Sequence, residues 1–272
     1  MTEHKYNYLI IGGGMTADAA THSIREIDPH GIIGLISSED VPPYARPPLS
    51  KSIWTGEESL DDIDLETMDT NVKMHLNRTV EKIDRPNKSV IDNQGNIYKY
   101  EKLLIATGGT PRKLPKIEES GIIYYRTLSD YKKLKKLVDI NTTFGVIGGS
   151  FIGSEIAAAI KMYKPDAEVT MIFPETGVCA LIFPKSLSDF ISDYFRENDV
   201  KVLTGELVVN VKKQNKTYLV ETKGGKKLKF DAVIAGLGIT PNVKLAKTAN
   251  IKVEDGIMVN KYLQTNDPDI YA

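Results

Sequence analysis

Apolar positions fall into short buried-looking runs separated by stretches of helical period, and this rhythm occurs twice along the chain. Residues 6–11 (YNYLII) read as a buried strand. From Met15 the apolar residues recur at helical spacing until Asp28-Pro29 breaks the pattern, and Ile32 to Ser37 (IIGLIS) is the next parallel strand. A proline-rich loop (VPPYARPPLSK) follows. Alternating runs around Val80 to Ile83, Ser89 to Ile91 and Ile97 to Tyr98, with the turn signal NQGN, then predict a small antiparallel meander. Tyr100 to Pro115 (YEKLLIATGGTPRKLP) reads as a strand ending in a small-residue turn, where the chain leaves its first domain. From Thr143 the order returns: strand FGVIGG, helix FIGSEIAAAI, strand EVTMIF, and the amphipathic stretch SLSDFISDYFREN. A second meander near Glu206 to Val211, Tyr218 to Thr222 and Lys227 to Phe230 leads into DAVIAGLGITPN. Alternating strands and helices of this kind specify an α/β fold built on parallel sheets.

Both strand-to-helix passages run through glycine: GGGMTA at Gly12 to Ala17 and GGSFIG at Gly148 to Gly153. A glycine turn that opens a helix aims backbone N–H groups and the positive helix end at a pyrophosphate. Two such turns imply two dinucleotides and hydride transfer between them. In the first, Gly12 permits the bend, Gly14 the approach to phosphate and Ala17 close helix packing, and Glu39 falls where a ribose-binding carboxylate belongs. In the second, Ser150 stands where the middle glycine is expected. Glu175, just past EVTMIF, favours a ribose 2′-hydroxyl and hence NAD over NADP, the alternative being an ordinary surface carboxylate. Glu155 lies in an otherwise apolar helix and calls for a cation. Lys51 is one candidate, with a plain surface lysine as the other reading of that residue.

Bulk properties narrow the chemistry. A chain of 272 residues holds about two domains. With 35 basic against 36 acidic residues the net charge is −1, which offers nothing to a nucleic acid. Apolar runs such as LLIA fall far short of the ~20 residues of a membrane span, and no signal-peptide pattern opens the chain, so the expected location is cytoplasmic. The single cysteine, Cys179, excludes an internal disulfide or CxxC pair, so redox chemistry has to sit on a cofactor. Four histidines without ligand-like spacing give no metal site.

The strings YARPPLSKSIW, YEKLLIATGGTPRKLP, IGGSFIGSEIA and GLGITPNVKLAK, in this order, resemble the apoptosis-inducing factor and oxygenase-coupled ferredoxin reductase branch of flavoprotein NAD(P)H oxidoreductases, over nearly the whole chain. The resemblance implies two Rossmann-like three-layer domains of the glutathione-reductase type: an FAD-binding domain at 1–114 plus 243–272 and an NAD(H)-binding domain at 115–242. It implies FAD on Gly12, Gly13, Gly14, Ala17, Glu39, Asp40, Arg46, Lys51, Val80, Ala106, Thr107, Gly108 and Arg126. NAD(H) falls to Gly149, Ser150, Phe151, Ile152, Glu175 and Gly238. Lys51 and Glu155 are implied to pair beside the flavin, and Phe151 to shield it on the nicotinamide side. The implied activity carries hydride from NADH to flavin and electrons on to a ferredoxin-like protein, a quinone or oxygen. A slow flavin- and NADH-binding redox sensor is the alternative. Ser150 and Leu181 depart from the family pattern toward weaker NADH binding. The chain stops at TNDPDIYA, where family members continue, so a C-terminal part of the FAD domain and a domain that would form a homodimer are expected to be missing.

Overall fold

The computed structural model describes residues 2–115, 117 and 121–272. The chain divides into two units, one of Met1–Ala45, Leu60–Thr110 and Pro241–Ala272, the other of Arg46–Ser59 and Pro111–Thr240.

In the first unit, β1 (Glu3–Ile11) leads through the glycine turn into α1 (Met15–Ile27) and then β2 (Ile33–Ile36). These are joined by β3 (Lys73–His75), β4 (Val80–Asp84), β5 (Ser89–Asp92) and β6 (Ile97–Ile105) in the order β3-β2-β1-β6-β5-β4. β1 pairs in parallel with β2 on one side and with β6 on the other. Its apolar residues are buried on both faces, as a central strand requires: Leu9 and Ile11 join one core cluster, and Ile10 packs with Ala17, Ile33 and Leu35 in another. The expected meander and the strand after it turn out to be continuous. β6 pairs along one edge with β1 throughout, while its other edge is shared between β5 at Ile97 to Lys99 and Ile270–Tyr271 at Leu103 and Leu104.

The second unit repeats the central plan. Thr143–Ile147 lies between Glu168–Ile172 and Ala232–Ala235, with Val200–Leu203 and Ile123–Tyr124 at the edges, and its neighbours are parallel. Three longer helices belong here: α3 (Leu128–Ile140), α4 (Phe151–Tyr163) and α5 (Lys185–Glu197), α3 following the short α2 (Ser52–Thr55). Here the meander Val208–Gln214, Thr217–Thr222 and Lys227–Phe230 forms its own sheet, packing Val220 and Phe230 against Ile147 and Val233.

The units depart from the expected division mainly at Arg46–Ser59, which groups with the second unit. Trp54 is the reason. The only tryptophan in the chain is 2% exposed, and its ring stands edge-on to Tyr131 and Tyr163 at 5.4 and 5.7 Å. The Leu49 carbonyl accepts hydrogen bonds from the Trp54 indole and the Tyr125 hydroxyl. Among the described residues no helix is long and apolar enough to cross a membrane.

A polar cluster lies within the first sheet. The Tyr6 hydroxyl is 2.6 Å from His75 Nε2, and the His75 ring meets those of His4 and Tyr98 at 4.7 and 4.8 Å. Tyr98 donates to Asp92, whose buried carboxylate also accepts from the Gln94 and Asn96 amides. Burial raises the Asp92 pKa, but these hydrogen bonds outweigh it and bring the carboxyl down to about 2. Burial, aided by the charges of His4 and Arg78, holds His75 below its usual pKa. At His75 the unfolded chain therefore binds more protons below about pH 6.5, and this residue's contribution to stability is complete above that point and lost as the pH falls through the depressed value. Calorimetry should show the unfolding midpoint falling between pH 7.5 and 5.5, and a flatter slope for His75→Gln; an unchanged slope would refute the assignment.

Candidate functional site

In each unit a glycine turn leaves the C-terminal end of the central strand, where the strand order reverses. Such switch points are where open α/β sheets hold ligands. The two turns share their wiring. The Gly12 amide donates to Ile36 O at 2.9 Å and the Ala106 amide to Ile11 O at 2.8 Å; the counterparts are Gly148 to Ile172 O at 3.0 Å and Gly236 to Ile147 O at 2.9 Å. Gly12 has φ +130° and Gly148 +112°, conformations that side chains rarely adopt. A Cβ on Gly12 would lie 2.1 Å from Ala106 O, and one on Gly148 2.3 Å from Gly236 O.

The residues that follow open the helices. Gly14 is the N-cap of α1 at φ −107°, ψ −173°, and Ser150 the N-cap of α4 at φ −91°, ψ −169°, neither helix being capped by a side chain. This explains how a serine replaces the expected glycine: the position is ordinary extended backbone, and the left-handed demand falls two residues earlier. Uncapped amides at a helix N-terminus beside a glycine turn form a donor set that fits a pyrophosphate. Ala17, fully buried, lets α1 sit close on its sheet.

The remaining first-unit candidates surround that turn. Glu39 Oε2 accepts from the Tyr44 hydroxyl at 2.7 Å, and Asp40 beside it is exposed. The turn that leads from His75 to Val80 clasps this segment, Asn77 N donating to Glu39 O at 3.0 Å and Arg78 N to Ser37 O at 2.8 Å. Val80 packs against the core. The Ala106-Thr107-Gly108 turn is tied down by a residue that sequence reasoning missed. Asn242 donates from its amide to Gly108 O at 2.9 Å and from its side chain to Thr107 O at 2.8 Å. It accepts from the Thr107 hydroxyl at 3.0 Å and the Thr110 hydroxyl at 2.8 Å. Its place in ITPN after a strand was the available signal.

The second unit holds the others. Arg46 Nη1 donates to Arg126 O at 3.4 Å. Pro47–Ser50 forms one 3₁₀ turn, and the next residue, Lys51, places Nζ 2.8 Å from Glu155 Oε1 in the second turn of α4. Lys51 and Glu155, which the resemblance implies as partners, are thus an ion pair. Ser50, also missed, donates to Glu155 Oε2 at 2.6 Å. Phe151 starts α4 with half its surface exposed and stands edge-on to Phe183 at 6.2 Å. Gly149 accepts at its carbonyl from Cys179 N at 2.7 Å. The Cys179 thiol is buried, and desolvation pushes it up in pKa against a lowering hydrogen bond from Ser154, with the Glu155 charge raising it further. Ile152 is partly buried in α4, Glu175 is half-buried with its carbonyl bound by Gly205 N at 3.1 Å, and Gly238 accepts from Arg112 N at 3.0 Å. Leu181 is 82% exposed. Arg46, Lys51 and Arg126 therefore belong to the second unit, and the other positions expected at FAD belong to the first. Among the described residues no group of three or more histidines, cysteines or carboxylates is placed to hold a metal.

A family model described as pyridine nucleotide-disulphide oxidoreductase matches residues 6–272. Mitochondrial apoptosis-inducing factor 1 of Dictyostelium discoideum is 34% identical, over 98% of this chain and 56% of its own length. Putidaredoxin reductase of Pseudomonas putida is 32% identical, over 98% of this chain and 65% of its own. The crystal structure of the covalent putidaredoxin reductase–putidaredoxin complex superposes with a TM-score of 0.89 at 30% identity, covering 98% of this chain and 66% of that one. The chain thus spans less than two thirds of the length of these relatives.

Proposed function

The chain belongs to the pyridine nucleotide-disulphide oxidoreductase family, and from that premise we propose that it is an FAD-dependent oxidoreductase taking hydride from NADH. Members of this family use FAD and NAD(H). The observation that carries the reading is the pair of identically wired glycine turns, each opening an uncapped helix at a switch point. One dinucleotide for each turn is the arrangement that two-cofactor hydride transfer needs.

In this reading Gly12, Gly13, Gly14 and the α1 terminus hold the FAD pyrophosphate, Glu39 and Asp40 its ribose, and Val80 its adenine end. Ala106, Thr107 and Gly108, with Arg46, Lys51 and Arg126, contact the remainder. Gly149, Ser150 and Ile152 at the start of α4, together with Gly238, take NADH, and Phe151 covers the nicotinamide side. When bound, FAD supplies a two-electron acceptor that can release electrons singly. Lys51 contributes a positive charge where negative charge develops, and Glu155 keeps that ammonium in place. A ferredoxin-like acceptor is supported by the relatives, one of which is seen joined to putidaredoxin; a quinone and oxygen are the other acceptors this reading allows.

The test is an absorbance spectrum of the chain reconstituted with FAD, followed by anaerobic NADH. Flavin bands that bleach are expected, whereas a chain that takes up no FAD would overturn the reading. Glu175 gives a second check. Its carboxylate is expected to accept from the NADH ribose, a charge-assisted bond worth about 1.5–3 kcal/mol. Glu175→Ala should narrow the preference for NADH over NADPH in reduction rate by about tenfold, and an unchanged ratio would remove Glu175 from the site.

A further inference from the structure

The Lys51–Glu155 pair has a third member. Ser50 is 6% exposed, and its hydroxyl lies 2.6 Å from Glu155 Oε2 while Lys51 Nζ lies 2.8 Å from Oε1. Two consecutive residues therefore grip the two oxygens of one carboxylate. The partners differ in freedom: Lys51 has 53% of its side chain exposed and Glu155 25%. An ion pair so open to water is weak when both ends are free to move, because ordering two long side chains offsets most of the Coulomb gain. A buried hydroxyl on one oxygen removes that freedom from the carboxylate. The serine is itself anchored, since the same 3₁₀ turn carries Leu49, whose carbonyl is bound by Trp54 and Tyr125.

We propose that Ser50 is a positioning residue that holds the Glu155 carboxylate so that its second oxygen fixes the Lys51 ammonium. Its consequence for the flavin rests on the reading that Lys51 acts on bound FAD; the clamp itself does not. Ser50 touches no reacting atom and works only through Glu155, so its effect has to vanish where the carboxylate is gone.

The experiment is trace acylation of the cofactor-free chain with acetic anhydride, reading modification of Lys51 against the other lysines by peptide mass spectrometry. Ser50→Ala should raise Lys51 labelling about threefold, the scale of a part-exposed ion pair set loose. Ser50→Thr, which keeps the hydroxyl, should restore the original value. Added to Glu155→Ala, Ser50→Ala should change nothing further. Unchanged labelling in Ser50→Ala, or an equal rise in both backgrounds, would overturn the proposal. Should Ser50→Ala fail to fold, as judged by loss of buried Trp54 emission, Ser50→Cys offers a similar shape with a poorer donor and carries the same expectation. In the FAD-loaded protein the flavin midpoint potential should shift to more negative values in Ser50→Ala and return in Ser50→Thr. Raised labelling with an unmoved potential would leave the clamp standing and remove Lys51 from the flavin.

Discussion

A Gly12→Ala chain should lose FAD and about 3 kcal/mol of stability, the combined cost of a forbidden backbone conformation and a clash with main chain. The new methyl would sit 2.1 Å from Ala106 O and 2.7 Å from its carbonyl carbon. Neither atom belongs to a flexible side chain that can swing away. Relief requires β1 and β6 to part at their ends, where the Ala106 amide donates to Ile11 O at 2.8 Å, and that parting would dismantle the turn expected to hold pyrophosphate. For a chain of this size the loss corresponds to a fall of roughly 6–12 °C in the thermal midpoint. Gly225→Ala separates the two causes. Gly225 also has a positive φ, +85°, but a Cβ there would meet nothing within 4 Å, so only the conformational cost of about 1 kcal/mol remains. Flavin absorbance after desalting and a melting curve measure both variants; equal losses would show that contact with Ala106 is unimportant.

Lys51→Met should slow NADH-driven bleaching of the flavin by about a hundredfold, the usual effect of removing one fixed charge from a developing one. Methionine keeps much of the stem, which leaves packing largely intact and isolates the charge. Glu155 would then retain Ser50 but no cation. Trp54, three residues on and 2% exposed, serves as the control, because an unchanged emission shows that the loop has kept its seat. Stopped-flow reduction at saturating NADH supplies the rate. A rate within twofold of the parent would take Lys51 out of the chemistry, whatever its contact with Glu155.

The strand-turn-helix passages were legible in the sequence because their signals are local: an apolar run, a glycine, then helical spacing. Features built from distant partners were not. Lys73–His75 pairs in parallel with β2 as a third strand, yet its three residues include a lysine and a histidine and show no apolar run. α3 has no counterpart among the elements expected from the sequence, although Thr127 and Asp130 form a complete capping box at its start. The side-chain contact between Ser50 and Glu155 spans 105 positions, and no spacing rule reaches across that distance. Ser150 was the opposite case: it looked like a defect in the turn until its backbone angles showed that a side chain is tolerated there.

The first unit is interrupted in sequence, and that shapes how the chain is made. Ile270–Tyr271 lies along Leu103 and Leu104 of β6, and Asn242 ties the Thr107 turn from 135 positions away. On the ribosome, which delivers the chain from its N-terminus, residues 111–240 of the second unit therefore emerge while β6 of the first still waits for Ile270–Tyr271. Until residues 270–271 emerge, part of the β6 edge is an unpaired strand edge beside an apolar sheet, the kind of surface that seeds association between nascent chains.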